Sequence, residues 1–473
     1  MNKKGTVPKM LNFEKKGRVI MKKHEILSKL IIKPKEFVLT GKDYKHNKDA
    51  KIYTNADEGD FSYLLGLAGF GGKAEVKRFE NTNDIYVLSI GKEDAVLPET
   101  EYENDEAYYM EAESESLLIT SKSFNGMLLG LKAYIRMTEE LGAIPGIIIK
   151  DYPDIPFRSV HVCMFRPDDG SDKEESSPEY IRKMMKTAAM LGYNHIIIEF
   201  WGMFPYSLDY AHWPNAYSKE EIRALVDYAM DDLHIRPIPQ QNLVSHAGWS
   251  RIVTRQHTVL DQRPDLQDMY IPGGWCFATE NPDTKEFIKL LMDELIDMFR
   301  NPPYLCCGGD KAFGFGSTEE DRTVSADVLF ARHISFLNTY LSERNVRMVM
   351  WGDMLYSSMD ALYWKCNEST TDLIPKNVLI NIWTHNNPGK KWQDAAYFED
   401  KGFETVYSPF MNEESIESMI YLCRDRKSHG MVQTTWHRPQ SAVPFVVFSG
   451  ALQWCGKKPE KVLVENYASK WYK

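Results

Sequence analysis

Tyr304–Gly316 reads YLCCGGDKAFGFG. The apolar run Tyr304 to Cys307 has the length of a buried strand, two glycines break it, and the ionisable pair Asp310 and Lys311 follows at once. A strand that delivers charged side chains at its carboxyl end is how a parallel barrel builds its chemistry.

Working outward, the same rhythm repeats. Strand-like runs at Ser159–Phe165, His195–Phe200, Ile235–Gln240, Tyr304–Cys307, Arg347–Trp351, Val378–Trp383, Glu404–Tyr407 and Met431–Thr435 are separated by helix-period segments such as Tyr180–Leu191, Asp283–Phe299, Ala326–Glu343 and Ser441–Leu452. After Arg347–Trp351 the connection is less regular. Eight alternations in roughly 300 residues predict a (β/α)8 TIM barrel. In front of it, short alternating runs (Phe37–Leu39, Ile52–Thr54, Ile85–Leu88, Leu117–Thr120) and an amphipathic helix at Phe124–Leu141 predict a small α/β domain. The proline-bearing stretch DYPDIPFR, from Asp151 to Arg158, marks the boundary, because proline removes donors and holds the backbone extended. The expected division is a polar leader at 1–24, an α/β domain at 25–152 and the barrel at 153–473.

Composition narrows the partners. The 473 residues are 43% hydrophobic and 12% aromatic, ample for two folded cores. No stretch reaches the roughly 18 uncharged apolar residues of a membrane span. A formal charge of −10 argues against nucleic acid, whose phosphates call for a basic surface. Lys and Glu interrupt every apolar run up to Ile26, so no signal peptide is read and a cytoplasmic location is expected. The seven cysteines are scattered without a Cys-x-x-Cys pair, which signals neither a disulfide framework nor a zinc site. No Gly-x-Ser-x-Gly elbow, His-Glu-x-x-His or phosphate-cradling loop is present, and no metal or cofactor is expected.

The quoted segment resembles the catalytic strand of glycoside hydrolase family 20, the β-N-acetylhexosaminidases, where an apolar run, Gly-Gly or Gly-Cys, and Asp-Glu follow one another. NHIIIEFWGMFPYS, from Asn194 to Ser207, resembles the corresponding second strand of the hexosaminidase D branch, with Glu199, Phe204, Pro205 and Tyr206 in common. The resemblance implies a glycoside hydrolase acting on terminal N-acetylhexosamine through substrate assistance. The acetamido oxygen attacks C1, an Asp orients the amide, and the adjacent Glu protonates the leaving oxygen. It assigns Asp310 to the Asp role and places Lys311 where the acid belongs. An ammonium of reference pKa about 10.4 is a poor proton donor at neutral pH. Three outcomes stay open: a weakened hydrolase, a hydrolase using another acid such as Glu199 or Asp353, or a sugar-binding relative without turnover.

The resemblance also implies a binding set. Arg158 would hold sugar hydroxyls, the alternative being a linker arginine ion-paired between domains. His246 falls at a turn where the family keeps a histidine, the alternative being a hydrogen-bonded loop residue. Trp351, Trp383 and Trp436 end three later strands and would wall the acetamido methyl, with Asp353 beside them. Glu199 faces the site or is buried against a cation. Trp436-His437-Arg438 replaces a Trp-x-Glu pattern, and Trp201-Gly202 replaces an acidic pair. Lys311, Arg438 and Arg158 together suggest an anionic amino sugar. Arg158, His246, Asp310, Trp351, Trp383 and Trp436 are expected to converge on one barrel mouth.

Overall fold

The computed structural model describes residues 22–56, 60–71, 86–90, 97, 104–164, 177–251, 256–355, 368–384, 396–436 and 439–472. Its larger part is a closed barrel of eight parallel strands: Phe157–Met164, His195–Phe200, Arg236–Gln240, Tyr304–Cys306, Arg347–Trp351, Leu379–Thr384, Thr405–Pro409 and Gly430–Thr434, the last pairing back onto the first. Within each strand alternate residues part company, as a two-residue period demands. Phe157, Ile197, Ile238, Cys306, Val349, Leu379, Val406 and Val432 form one buried cluster that fills the barrel interior. Their strand neighbours of opposite parity, among them Val160, Ile196, Ile198, Met348, Ile380 and Met431, join the separate core beneath the helices.

That parity positions the chemistry. Two residues beyond the interior apolar layer, on the same face of six of the strands, stand Glu199, Gln240, Trp351, Asn381, Ser408 and Thr434, all buried. The barrel is therefore apolar low in its interior and polar towards its carboxyl mouth.

The helices begin where their sequences direct. Ser177 accepts a hydrogen bond from the Tyr180 N–H before Pro178–Met190, Ser218 and Glu221 form a reciprocal box before Lys219–Asp227, and Asn281 caps Pro282–Met298. The helix Lys219–Asp227 widens at its end into a π turn at Tyr228–Asp232. A final helix, Lys461–Tyr472, packs on Pro178–Met190 and was not foreseen in the sequence.

The smaller part is a mixed six-stranded sheet in the spatial order Glu36–Leu39, Ile147–Asp151, Tyr108–Glu113, Ser116–Ser121, Tyr86–Ile90, Tyr53–Thr54. The helix Phe124–Leu141 lies against it, begun by Ser123 and ended by Gly142. Close approach requires Gly130, since a Cβ there would lie 2.5 Å from Ile119. The other side of the helix meets the barrel: Arg136 donates to the carbonyl of Met190 at 2.9 Å. Asp151 ends the sheet and Phe157 opens the barrel, so the connection is only residues 152–156. Trp454, near the end of the helix Pro439–Cys455, closes it by donating to Asp151 Oδ2 at 2.8 Å.

Candidate active site

Asp310 and Lys311 follow the fourth barrel strand through Gly308 (φ 71°) and Gly309 (φ 100°). Both glycines turn left-handed, and a Cβ on Gly308 would lie 2.4 Å from Asn242 Oδ1. Lys311 itself adopts φ 48°. The resulting reversal folds its side chain back on its neighbour, so Lys311 Nζ stands 2.5 Å from Asp310 Oδ2.

The same carboxylate oxygen lies 3.3 Å from His246 Nε2. His246, at φ 51°, is held between Trp275 and Trp201, with ring centroids 4.3 and 5.9 Å away. Asp310 is 6% exposed. Burial alone would raise its pKa, but Lys311 and then His246 outweigh that and hold the carboxyl well below its usual range. For Lys311 the balance runs the other way: partial burial would lower its pKa, yet the charges of Asp310 and Asp353 raise it.

Asp353 closes the set. Its Oδ2 accepts from the Lys311 backbone N–H at 3.1 Å and its Oδ1 from Trp383 Nε1 at 3.1 Å, while Lys311 Nζ sits 4.9 Å from the centre of the Trp383 ring. Burial, then the charge of Asp310, raises the Asp353 pKa. Among these acidic groups Asp353 is the one pushed towards holding a proton.

A second group adjoins the first through Gly308, whose carbonyl accepts from the Trp351 N–H at 3.0 Å. Trp351 and Trp436 lie 5.6 Å apart at 34°, and Trp436, at φ 47°, covers His161 at 4.9 Å. His161 Nε2 is 3.1 Å from Glu199 Oε2, and Asn242 donates to Glu199 Oε1 at 2.9 Å. Glu199 thus faces inward, and it shares a cleft with Trp201, Gly202, Asn242 and His246.

Arg158 is a correction. It is the second residue of its strand, at the amino end of the barrel, and is 1% exposed. Its Nη1 and Nη2 bind Glu106 of the small domain at 2.7 and 2.9 Å, Nε donates to the Gly192 carbonyl at 2.7 Å, and Nη1 also reaches the carbonyls of Ile155 and Pro156. The guanidinium is a clamp between the two parts, and its donors face away from the mouth. Arg438 lies outside the described residues. With Arg158 removed from the mouth and Lys311 paired to Asp310, the described mouth holds Asp310, Asp353 and Glu199 against one lysine, a balance that does not favour an anionic sugar.

Four residues of the site went unread in the sequence: His161, Cys163, Asn242 and Trp275. Trp275 donates to the Lys311 carbonyl at 2.7 Å from a connection with no regular period. His161 and Cys163 were legible as polar or reactive residues at alternate positions of an otherwise apolar strand, HVCM.

Residues 202–437 match the family model described as Glycosyl hydrolase family 20, catalytic domain. No curated protein matches the chain. Among solved structures, the chitobiase of Flavobacterium johnsoniae superposes with a TM-score of 0.69 at 15% identity, covering 94% of this chain and 72% of that one. A β-N-acetylhexosaminidase from Bacteroides fragilis gives 0.63 at 18%, covering 91% and 92%. The exo β-N-acetylglucosaminidase of Vibrio harveyi, solved with N-acetylglucosamine, gives 0.63 at 15%, covering 92% and 74%. These similarities establish a shared fold.

Proposed function

The barrel of this chain belongs to glycosyl hydrolase family 20, and from that premise we propose that the protein is a glycoside hydrolase acting on terminal N-acetylhexosamine residues. The observation that carries the reading is Asp310, a buried carboxylate held ionised at the carboxyl end of the fourth barrel strand. An ionised Asp there can accept the N–H of a 2-acetamido group and so turn the amide oxygen towards C1. Trp351 and Trp436 supply flat apolar surface against which an acetamido methyl can be desolvated.

The proton for the leaving oxygen has to come from elsewhere than Lys311, whose raised pKa keeps its proton bound. Asp353 is the candidate the electrostatics favour, with its pKa raised by burial and by Asp310. Glu199 is the second, engaged by His161 and Asn242.

A second reading, sugar binding without turnover, rests on one contact: the 2.5 Å pairing of Lys311 with Asp310, which occupies one of the two carboxylate oxygens open to an amide N–H. An N-acetyl-β-glucosaminide with a nitrophenol leaving group separates the two, because such a substrate needs little acid assistance. Turnover that falls at least about 100-fold in Asp310→Ala supports the hydrolase. Saturable N-acetylglucosamine binding with no turnover supports the second reading, and neither binding nor turnover defeats both.

The six buried cysteines described are all free thiols, with Cys306 and Cys307 adjacent, which supports a reducing, cytoplasmic setting. No helix among the described residues is long and apolar enough to cross a membrane.

A further inference from the structure

Beneath the mouth, the first two barrel strands bring together His161, Cys163 and Glu199. Their ligand-type atoms all lie within 4.8 Å of one another, and among the described residues no other three such side chains converge this closely. His161 Nε2 is 3.1 Å and Cys163 Sγ 3.4 Å from Glu199 Oε2. Bonds of about 2.0–2.3 Å at tetrahedral angles separate the ligand atoms of a zinc ion by roughly 3.3–3.8 Å. We propose that His161, Cys163 and Glu199 form a binding site for a divalent metal ion of the zinc class.

Four features support the assignment. The donor set is one imidazole, one thiol and one carboxylate, which suits zinc or cobalt and ill suits magnesium or calcium, whose sites are built from oxygen. The charge closes: a thiolate and a carboxylate neutralise a dication around a neutral imidazole, in a place where all three residues are buried to 2% exposure or less. The carboxylate is already oriented, since Asn242 holds its other oxygen at 2.9 Å, the part an outer-shell partner plays at metal sites. Finally, the cluster is incomplete as a hydrogen-bond network, for His161 Nδ1 is buried with no partner among the described residues. A cleft lined by Trp201, Asn242 and His246 reaches the Glu199 side of the cluster.

Register explains the convergence. His161 and Cys163 are two apart on one strand and so share a face, and Cys163 pairs directly with Glu199 on the next strand. Binding replaces the Cys163 S–H by an S–metal bond and releases that proton to solvent; no electron moves. The site shares Glu199 with the sugar reading above: a metal bound there leaves Asp353 as the proton donor, and a hydrolase or a binding protein could carry the site.

The test uses the full chain, stripped with a chelator and titrated with Co²⁺ alone. The proposal expects stoichiometric binding with proton release, a near-ultraviolet thiolate-to-cobalt charge-transfer band, and the visible bands of a tetrahedral ion. Zn²⁺ should displace the cobalt and Mg²⁺ should not. Cys163→Ser should abolish the charge-transfer band, and Asn242→Ala should keep the band while weakening binding by about 10- to 100-fold. Absence of the band in the folded wild-type chain overturns the proposal without recourse to any variant. A band of unchanged intensity and affinity in folded Cys163→Ser overturns it equally.

Discussion

Lys311 Nζ and Asp310 Oδ2 are 2.5 Å apart although the two residues are neighbours in the chain. Consecutive side chains ordinarily diverge. They meet here because Gly308, Gly309 and Lys311 all turn left-handed. The contact has consequences that mutation and titration can measure.

Lys311→Met removes the largest charge holding the Asp310 pKa down, leaving burial to push it up. Asp310 must be ionised to accept an amide N–H, so the acid limb of N-acetylglucosamine binding should move to higher pH in the variant. Calorimetric titration between pH 3 and 7 measures it. An acid limb that does not move disconnects Lys311 from the function of Asp310.

Lys311→Glu places a carboxylic acid beside Asp310. For a glycoside with a poor leaving group, turnover should rise by about 100- to 10,000-fold, the usual worth of a positioned general acid, while a nitrophenyl glycoside should gain far less. Equal changes on both substrates would falsify the view that the wild-type chain lacks a proton donor at this position.

Arg158→Met should leave sugar affinity unchanged, because the guanidinium serves Glu106 and three backbone carbonyls at the far end of the barrel. Stability should fall by about 3–5 kcal/mol, since Glu106 and those carbonyls lose a buried partner. Thermal melts and binding titrations run on the same sample check both halves. Lost sugar binding in a folded variant would restore Arg158 to the site.

Gly308→Ala should cost about 1–3 kcal/mol. The new Cβ meets Asn242 Oδ1 and sits at φ 71°. Because Asn242 orients Glu199, the variant should also weaken Co²⁺ binding. Denaturant unfolding gives the first quantity and cobalt titration the second.

Stability should depend on pH through two groups of the smaller domain. Burial lowers the Lys132 pKa to about 7, from an ordinary value of 10.5. Between those values the unfolded chain binds the proton and the folded chain does not, so this residue makes stability rise as pH increases from 7 to 10.5. Burial raises the Glu140 pKa to about 7, from 4.5. Its contribution is fully present below pH 4.5 and is lost as pH rises through 7. Melting temperatures of Lys132→Met and Glu140→Gln against wild type, across pH 4 to 10, isolate each slope, and parallel curves would contradict the assignment.

Much of the molecule was legible from residue order. A two-residue period and a 3.6-residue period are local properties, so all eight barrel strands and the helix Phe124–Leu141 could be read from hydrophobic spacing, with ends shifted by a residue or two. The pairing of Asp310 with its own neighbour was within reach for the same reason. The sheet strands Tyr108–Glu113 and Ile147–Asp151 were not read as such: the first is rich in glutamate and the second is short and ends at the linker.

Sequence by itself determined which residues are polar at the strand ends, because side-chain parity follows from chain order once a strand is recognised. Which end of the barrel each side chain serves, and what it meets there, was decided only by tertiary structure. Arg158 stands at the start of its strand, and its partner Glu106 is 52 residues away, in the turn before the strand Tyr108–Glu113. Glu199 finds His161 and Cys163 across a strand boundary, at 38 and 36 residues' separation. No spacing rule for cysteines or histidines spans such distances. Closure of the barrel sets the register between strands, and register brings these donor atoms to one point.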